Sequence, residues 1–124
     1  MNGYFALAAF LVVITTGFHC IAGGKRVVRP MLQSTDLNGT IKAVLYGCWH
    51  AFTLLYLGVA VGFLWAATAP GAKELAVVNT ALAALLAAFS FGVTLYFRQR
   101  LLRLPHWILF TGVAVAGSLG LVAA

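Results

Sequence analysis

Three histidines and two cysteines are the side chains in this sequence that could hold a metal or a cofactor. His19 and Cys20 close the first apolar run, in FHCIAGGKRVVRP, and Cys48 and His50 lie near the start of the second, in GCWHAF. His106 begins the last apolar run. A neutral imidazole nitrogen can ligate a haem iron, zinc or copper, and it can also hydrogen-bond an organic ligand.

The composition indicates that these residues are positioned by helices in a membrane. The chain has 124 residues, of which 63% are hydrophobic and 8% are charged, and its mean hydropathy is +1.01. Average soluble domains carry about 25% charged residues, so water cannot be the solvent for most of this surface. The length allows several spans of about 20 residues each. We therefore expect a single integral membrane domain over residues 1–124.

Four apolar runs predict an up-down-up-down bundle of four transmembrane helices, at residues 4–21, 41–67, 75–97 and 105–122. Gly23-Gly24 is a helix-ending pair after the first run, and Pro70 stops the second. Pro105 suits the first turn of the fourth helix. The second helix is longer than a span requires, so we expect it to tilt or protrude.

Basic residues cluster on two of the three connections between these helices. Those two connections, with the adjoining helix ends, hold seven of the eight Lys and Arg residues: Lys25, Arg26, Arg29, Lys42, Arg98, Arg100 and Arg103. An even number of crossings places both connections on one side, which the positive-inside rule assigns to the cytoplasm. We expect both termini outside, in a bacterial inner (cytoplasmic) membrane.

The same basic residues predict a partner. They would attract anionic lipid headgroups by about 1 kcal/mol each near the surface. A nucleic-acid footprint would instead be a basic face on a soluble fold. The net charge of +6 therefore indicates the lipid bilayer and not nucleic acid.

Small residues recur every four positions on two of the helices: Gly58 and Gly62 on the second, and Gly112, Ala116 and Gly120 on the fourth. Such spacing lets helix backbones approach closely in lipid, where no hydrophobic force drives association. We expect these residues to lie at helix–helix contacts, although small residues also abound here by composition alone.

Aromatic residues near the helix ends fit the two aromatic belts of a membrane protein. We expect Trp49, Trp107 and Tyr46 in the cytoplasmic belt, and Tyr4 and Trp65 in the outer one.

In this topology all three histidines lie toward the cytoplasmic side, on three different helices. His50 is the deepest, at about 10 Å by helical rise. Ionisable residues inside spans tend to face a bundle interior or a cavity. His50 is therefore the leading candidate for a cofactor ligand, with His19 or His106 completing the site.

Four interpretations of the histidines remain open. Paired imidazoles could ligate haem b, and three could bind zinc or copper. A neutral histidine could hydrogen-bond a quinone, lipid or pigment. Alternatively, each histidine only bonds a backbone carbonyl, a hydroxyl or a lipid headgroup.

The cysteines do not complete a metal site. On a helix Cys48 and His50 point about 200° apart, and Cys20 lies about 100° around from His19. A Cys20–Cys48 disulfide is sterically feasible, but both residues lie toward the reducing cytoplasm. We expect buried free thiols and no metal ligands.

At FHCIAGGKRVVRPML and VLYGCWHAFTLLYLGVA the chain resembles a group of small bacterial membrane proteins with no known activity. The shared pattern is a histidine ending helix one, a turn of small and basic residues with an Arg-Pro step, and a Trp-His-x-x-Thr segment opening helix two: His19, residues 23–26, Arg29, Pro30, Trp49, His50 and Thr53. The resemblance implies a four-helix membrane fold and supplies no activity that can be carried over to this chain.

The leading functional hypothesis is non-enzymatic: an accessory or scaffold subunit of a larger membrane complex, respiratory or photosynthetic, or a homo-oligomer. It rests on the absence from the sequence of a carboxylate within the apolar runs and of a recognisable nucleophile–base pair. The alternative is a membrane protein that binds haem or another cofactor through histidines in its cytoplasmic half. A small transporter ranks third, because proton coupling would have to run through histidine alone.

Overall fold

A computed structural model describes residues 1–69 and 71–124, so the stop assigned to Pro70 lies outside the described residues. Within those ranges every regular element is a helix. The elements are α1 (Gly3–Phe18), a π-helical segment (His19–Val28), α2 (Arg29–Gln33), α3 (Gly39–Thr68), α4 (Lys73–Tyr96) and α5 (His106–Val122). The first three run on as one helix, Gly3–Gln33, which makes four helices in all over the described chain.

Three of these helices are long and apolar enough to cross a membrane: Gly3–Gln33, α3 and α4. Their outward side chains are large and apolar, as a membrane protein requires; Leu54, for example, is 70% exposed. α5 has 17 residues and is therefore about 26 Å long, close to the shortest length that spans the hydrocarbon core. The fourth span stays a prediction.

The prediction that the first helix ends at Gly23-Gly24 is wrong. The helix continues through both glycines as the π-helical segment and reaches Gln33. Gly23 does not end the helix but packs against the Trp49 indole, where a Cβ would collide. Pro30 lies in α2, close to the C-terminal end of this continuous helix.

The helices alternate in direction, as the N-terminal residues show. The Asn2 backbone N–H donates to the Ala67 carbonyl at 2.9 Å, and its Nδ2 donates to the Gly120 carbonyl at 2.9 Å. The start of α1 therefore meets the ends of α3 and α5. Asn2 also caps α1, because its Oδ1 accepts from the Tyr4 and Phe5 N–H groups.

The helices pack unequally around the bundle. α1 lies against both α3 and α5, and α4 lies mainly against α5. α3 and α4 meet near residues 59–62 and 79, where Asn79 Nδ2 donates to the Val59 carbonyl at 3.4 Å. Toward the opposite end a cavity separates them.

Small residues make the close helix contacts, but not all at the expected positions. Gly62 faces Asn79, and Gly120 faces Phe5, each so closely that a Cβ would collide. Ala116 is 3% exposed, and Gly112 lies beside Leu11. Gly58 corrects the expectation, since it is exposed and nothing lies within 4 Å of where its Cβ would be.

Candidate functional site

The main candidate site is a cavity of about 380 Å³ between α3 and α4, where these helices diverge. The π-helical segment and α5 each contribute one histidine to its lining. Its walls are His19, Val27, Leu45, Cys48, Trp49, Phe52, Tyr56, Leu86, Phe89, Ser90, Val93, Leu104 and His106. A cavity of this size, mostly apolar with a few polar groups, is typical of a small-molecule site.

His19 is fixed at the base of the cavity. It is 4% exposed, and its Nε2 lies 3.2 Å from the Trp49 carbonyl oxygen. A carbonyl only accepts, so Nε2 carries the proton and the neutral ring keeps Nδ1 as an acceptor. The imidazole also stacks on the Trp49 indole, with ring centroids 3.9 Å apart and planes 13° from parallel.

Trp49 is held from two directions, by the His19 ring and by Gly23 of the π-helical segment. The absent side chain at Gly23 makes room for the edge of the indole. Trp49 is half-buried and forms part of the cavity wall. Its place in the cytoplasmic aromatic belt stays a prediction.

Tyr56 packs beneath the histidine pair. It is 5% exposed, and its ring lies edge-on to His19 at 5.2 Å and to Phe110 at 5.0 Å between centroids. Such edge-to-face contacts are favourable arrangements of aromatic rings. Tyr56 therefore links the cavity to the bundle core.

His106 lies at the start of α5 with its ring edge-on to His19, at 5.8 Å between centroids. Its Nε2 is shielded from solvent and has no hydrogen-bond partner among the described residues. Leaving such a group unpaired costs about 1–3 kcal/mol. The ring borders the cavity, so a polar atom in the cavity could recover that cost.

His50, the leading ligand candidate from the sequence, lies elsewhere. It is exposed on α3 and its ring packs edge-on against Tyr46, at 4.4 Å between centroids. It does not line the cavity that His19 and His106 share. The structure thus brings two of the three histidines together and leaves His50 outside the pair.

One nitrogen of the His19 imidazole is already engaged in this geometry. The Nε2 of His19 is protonated and bonded to Trp49, so it is not free to ligate iron. Among residues 1–69 and 71–124, no three His, Cys, Asp or Glu side chains are grouped to hold a metal ion. Haem b bound through His50 and His19 stays a prediction.

Both cysteines are free thiols and are exposed on the surface of the chain, whereas burial was expected. Cys48 borders the cavity. Cys20 lies outside it, with Sγ 4.0 Å from the Thr53 hydroxyl.

Six of the seven clustered basic side chains are exposed, and Lys42 is partly buried. Lys25 and Arg26 lie on the π-helical segment, Arg29 on α2 and Lys42 on α3, while Arg98, Arg100 and Arg103 follow α4. They leave the cavity itself uncharged, since none of them is among its lining residues.

Comparison with known proteins identifies no family: no family model matches the chain, and no curated protein or solved structure matches it. The functional interpretation therefore rests on the geometry of the cavity.

Proposed function

We propose that this chain is a non-enzymatic integral membrane protein that binds a small lipophilic molecule in the cavity between α3 and α4. The observation that carries the proposal is the buried Nε2 of His106, which has no hydrogen-bond partner among the described residues and lies beside a mostly apolar cavity. Apolar walls supply the affinity for such a molecule, and the imidazole supplies one directional contact.

The route into the cavity supports a ligand that comes from the bilayer. Leu45 and Phe52 on α3 and Phe89 on α4 line the cavity and are also 43%, 38% and 61% exposed. These side chains lie on the outer surface of the bundle, which faces lipid once the helices span a membrane. A lipophilic molecule would enter sideways between α3 and α4 without crossing water.

The proposed setting is a four-span bundle in a bacterial cytoplasmic membrane, with both termini outside. The clustered basic residues indicate this orientation by the positive-inside rule, and they would bind anionic lipid headgroups. The cavity then lies in the cytoplasmic half of the bilayer.

Cysteine labelling tests this orientation. In a cysteine-free background, Glu74→Cys should react with an impermeant maleimide from outside the cell, and Gln99→Cys should not. The reverse pattern would show the inverted topology.

A protein that holds a lipophilic molecule without chemistry of its own suits an accessory subunit of a larger membrane complex. We place this role second, since it rests on composition. Isolation from native membranes in mild detergent should retain a partner or a second copy of the chain, and a lone stable monomer would count against it.

The two native cysteines test the cavity with a built-in control. Cys48 lines it and Cys20 does not. In nanodiscs, decylbenzene should slow the alkylation of Cys48 by a lipophilic maleimide several-fold in the Cys20→Ser protein. It should leave the alkylation of Cys20 unchanged in the Cys48→Ser protein.

Equal slowing at both thiols would mean that decylbenzene only dilutes the reagent in the bilayer. No slowing at Cys48 would mean that the cavity takes up no apolar molecule. Either result contradicts the proposed function.

A further inference from the structure

We infer that the ligand of this cavity belongs to the quinone class: an uncharged, planar conjugated ring that bears carbonyl oxygens and an apolar tail. This inference rests on the proposed function and specifies its ligand.

The walls of the cavity favour a flat conjugated ring. Trp49, Phe52 and Tyr56 line it from α3, and Phe89 lines it from α4. The two imidazoles add further planar surfaces. Aromatic rings pack best against other rings, in offset or edge-to-face arrangements, whereas a flexible acyl chain gains no such preference.

The polar groups favour a hydrogen-bonding oxygen on that ring. His106 Nε2 is buried and has no partner among the described residues. In the neutral tautomer that protonates this nitrogen it donates one hydrogen bond. The torsion that turns an imidazole ring is broad, and the ring borders the cavity. A carbonyl oxygen on the ligand can accept that hydrogen bond.

A second polar group lies on another helix. Ser90 of α4 lines the cavity, whereas His106 begins α5. A quinone carries two carbonyl oxygens on opposite sides of its ring, and these suit donors that come from different helices. His19 does not compete for them through Nε2, because that nitrogen donates to Trp49.

An anionic ligand does not suit the residues that line this cavity. None of the described lining residues is Lys, Arg, Asp or Glu. Burying an unpaired charge is far more costly than burying a neutral polar group. An anionic lipid headgroup would be better held by the exposed basic residues outside the cavity, and a neutral quinone ring needs no counter-charge.

The test compares a fully substituted benzoquinone carrying a decyl tail with decylbenzene, which lacks the carbonyls. Binding of the quinone to the protein in nanodiscs is followed by quenching of tryptophan fluorescence and by infrared difference spectra of the quinone carbonyl. Binding of decylbenzene is followed by its protection of Cys48 from alkylation. His106→Phe keeps an aromatic ring and removes the hydrogen bond. His50→Phe is the matched control at the exposed histidine.

We expect the quinone to bind the wild-type protein and His50→Phe equally, and to bind His106→Phe roughly tenfold more weakly, the effect of losing one hydrogen bond. The carbonyl band of the bound quinone should shift to lower wavenumber in the wild-type protein and not in His106→Phe. Decylbenzene should bind all three proteins alike.

Two negative results are distinguishable. If decylbenzene protects Cys48 while the quinone binds no tighter than decylbenzene, or binds His106→Phe as well as wild type, the quinone inference is overturned and the proposed function stands. If neither molecule protects Cys48, the proposed function fails with it.

Discussion

Residue chemistry explains why His19 and His106 have different roles in one cavity. His19 donates from Nε2 to the Trp49 carbonyl, and its ring stacks on the Trp49 indole. It therefore acts as a structural residue that orients Trp49 in the cavity wall. His106 has a buried Nε2 with no partner among the described residues. Of the two, His106 is the residue available to a ligand.

The sequence identifies these histidines as the important polar residues but cannot pair them. Pairing depends on which face of each helix turns inward, and the apolar runs have nearly the same hydropathy on every side. Depth along the helix favours His50, but depth carries no information on the direction in which a side chain points. The stack of Trp49 on His19 cannot be predicted from the sequence, because the two residues lie 30 positions apart.

Gly23 gives a residue-scale prediction with a neighbouring control. A Cβ at Gly23 would press on the Trp49 indole, whereas nothing lies within 4 Å of a Cβ at Gly24. Because alanine favours a helix over glycine by about 0.5–1 kcal/mol, Gly24→Ala should stabilise the protein slightly. Gly23→Ala should shift Trp49, loosen its stack on His19 and change the near-ultraviolet circular dichroism.

Both glycine variants are compared by near-ultraviolet circular dichroism and by their affinity for decylbenzene. Identical tryptophan bands in the two variants would mean that Trp49 does not rest against Gly23. The described contact between Trp49 and Gly23 in the cavity wall would then be wrong.

At the scale of the helices, the long first helix is the main departure from expectation. A Gly-Gly pair followed by basic residues is a usual helix end, but here the helix changes to π geometry at His19 and continues to Gln33. π-helical turns often occur at functional sites. In this chain the segment carries both His19 and Gly23, the two residues that hold Trp49.

A close contact joins α3 and α4 at one end of the cavity. Gly62 admits the Asn79 side chain, whose Nδ2 donates to the Val59 carbonyl. Asn79 is buried, and no sequence pattern distinguishes it. An amide in lipid without such a partner costs several kcal/mol, so this pair fixes where α3 and α4 touch.

Gly62→Ala and Gly58→Ala separate this contact from helix propensity. Both changes add a methyl group to α3 one turn apart, but only the first meets Asn79. Gly58→Ala should raise the thermal midpoint slightly or leave it unchanged. Gly62→Ala should lower it, by an amount that corresponds to about 1–3 kcal/mol for an overpacked site.

Thermal unfolding in the same detergent, followed by far-ultraviolet circular dichroism, measures both midpoints. Equal midpoints for the two variants would show that Gly62 does not carry the contact between α3 and α4.

The whole molecule is a helical bundle whose membrane character is readable from composition. Three helices that can span a membrane follow directly from the apolar runs and their breaks. The cavity does not follow from them, because it arises where α3 and α4 diverge, and divergence is a property of packing. The proposed binding of a lipophilic ligand there would give a partner to His106 Nε2, which has none among the described residues.

Filling the cavity tests this explanation at the level of the complete protein. Ser90 lines the cavity, and Ala88, two residues away on the same helix, is exposed and does not line it. Ser90→Leu should therefore occupy the cavity, whereas Ala88→Leu adds the same side chain to the outer surface.

The decisive measurement is a mass-spectrometric inventory of the lipophilic molecules that wild type, Ser90→Leu and Ala88→Leu retain from native membranes. We predict one species in near-equal amount to the wild-type protein, retained by Ala88→Leu and lost from Ser90→Leu. The same bulk lipids in all three samples, with nothing enriched in wild type, would contradict the binding role of this cavity.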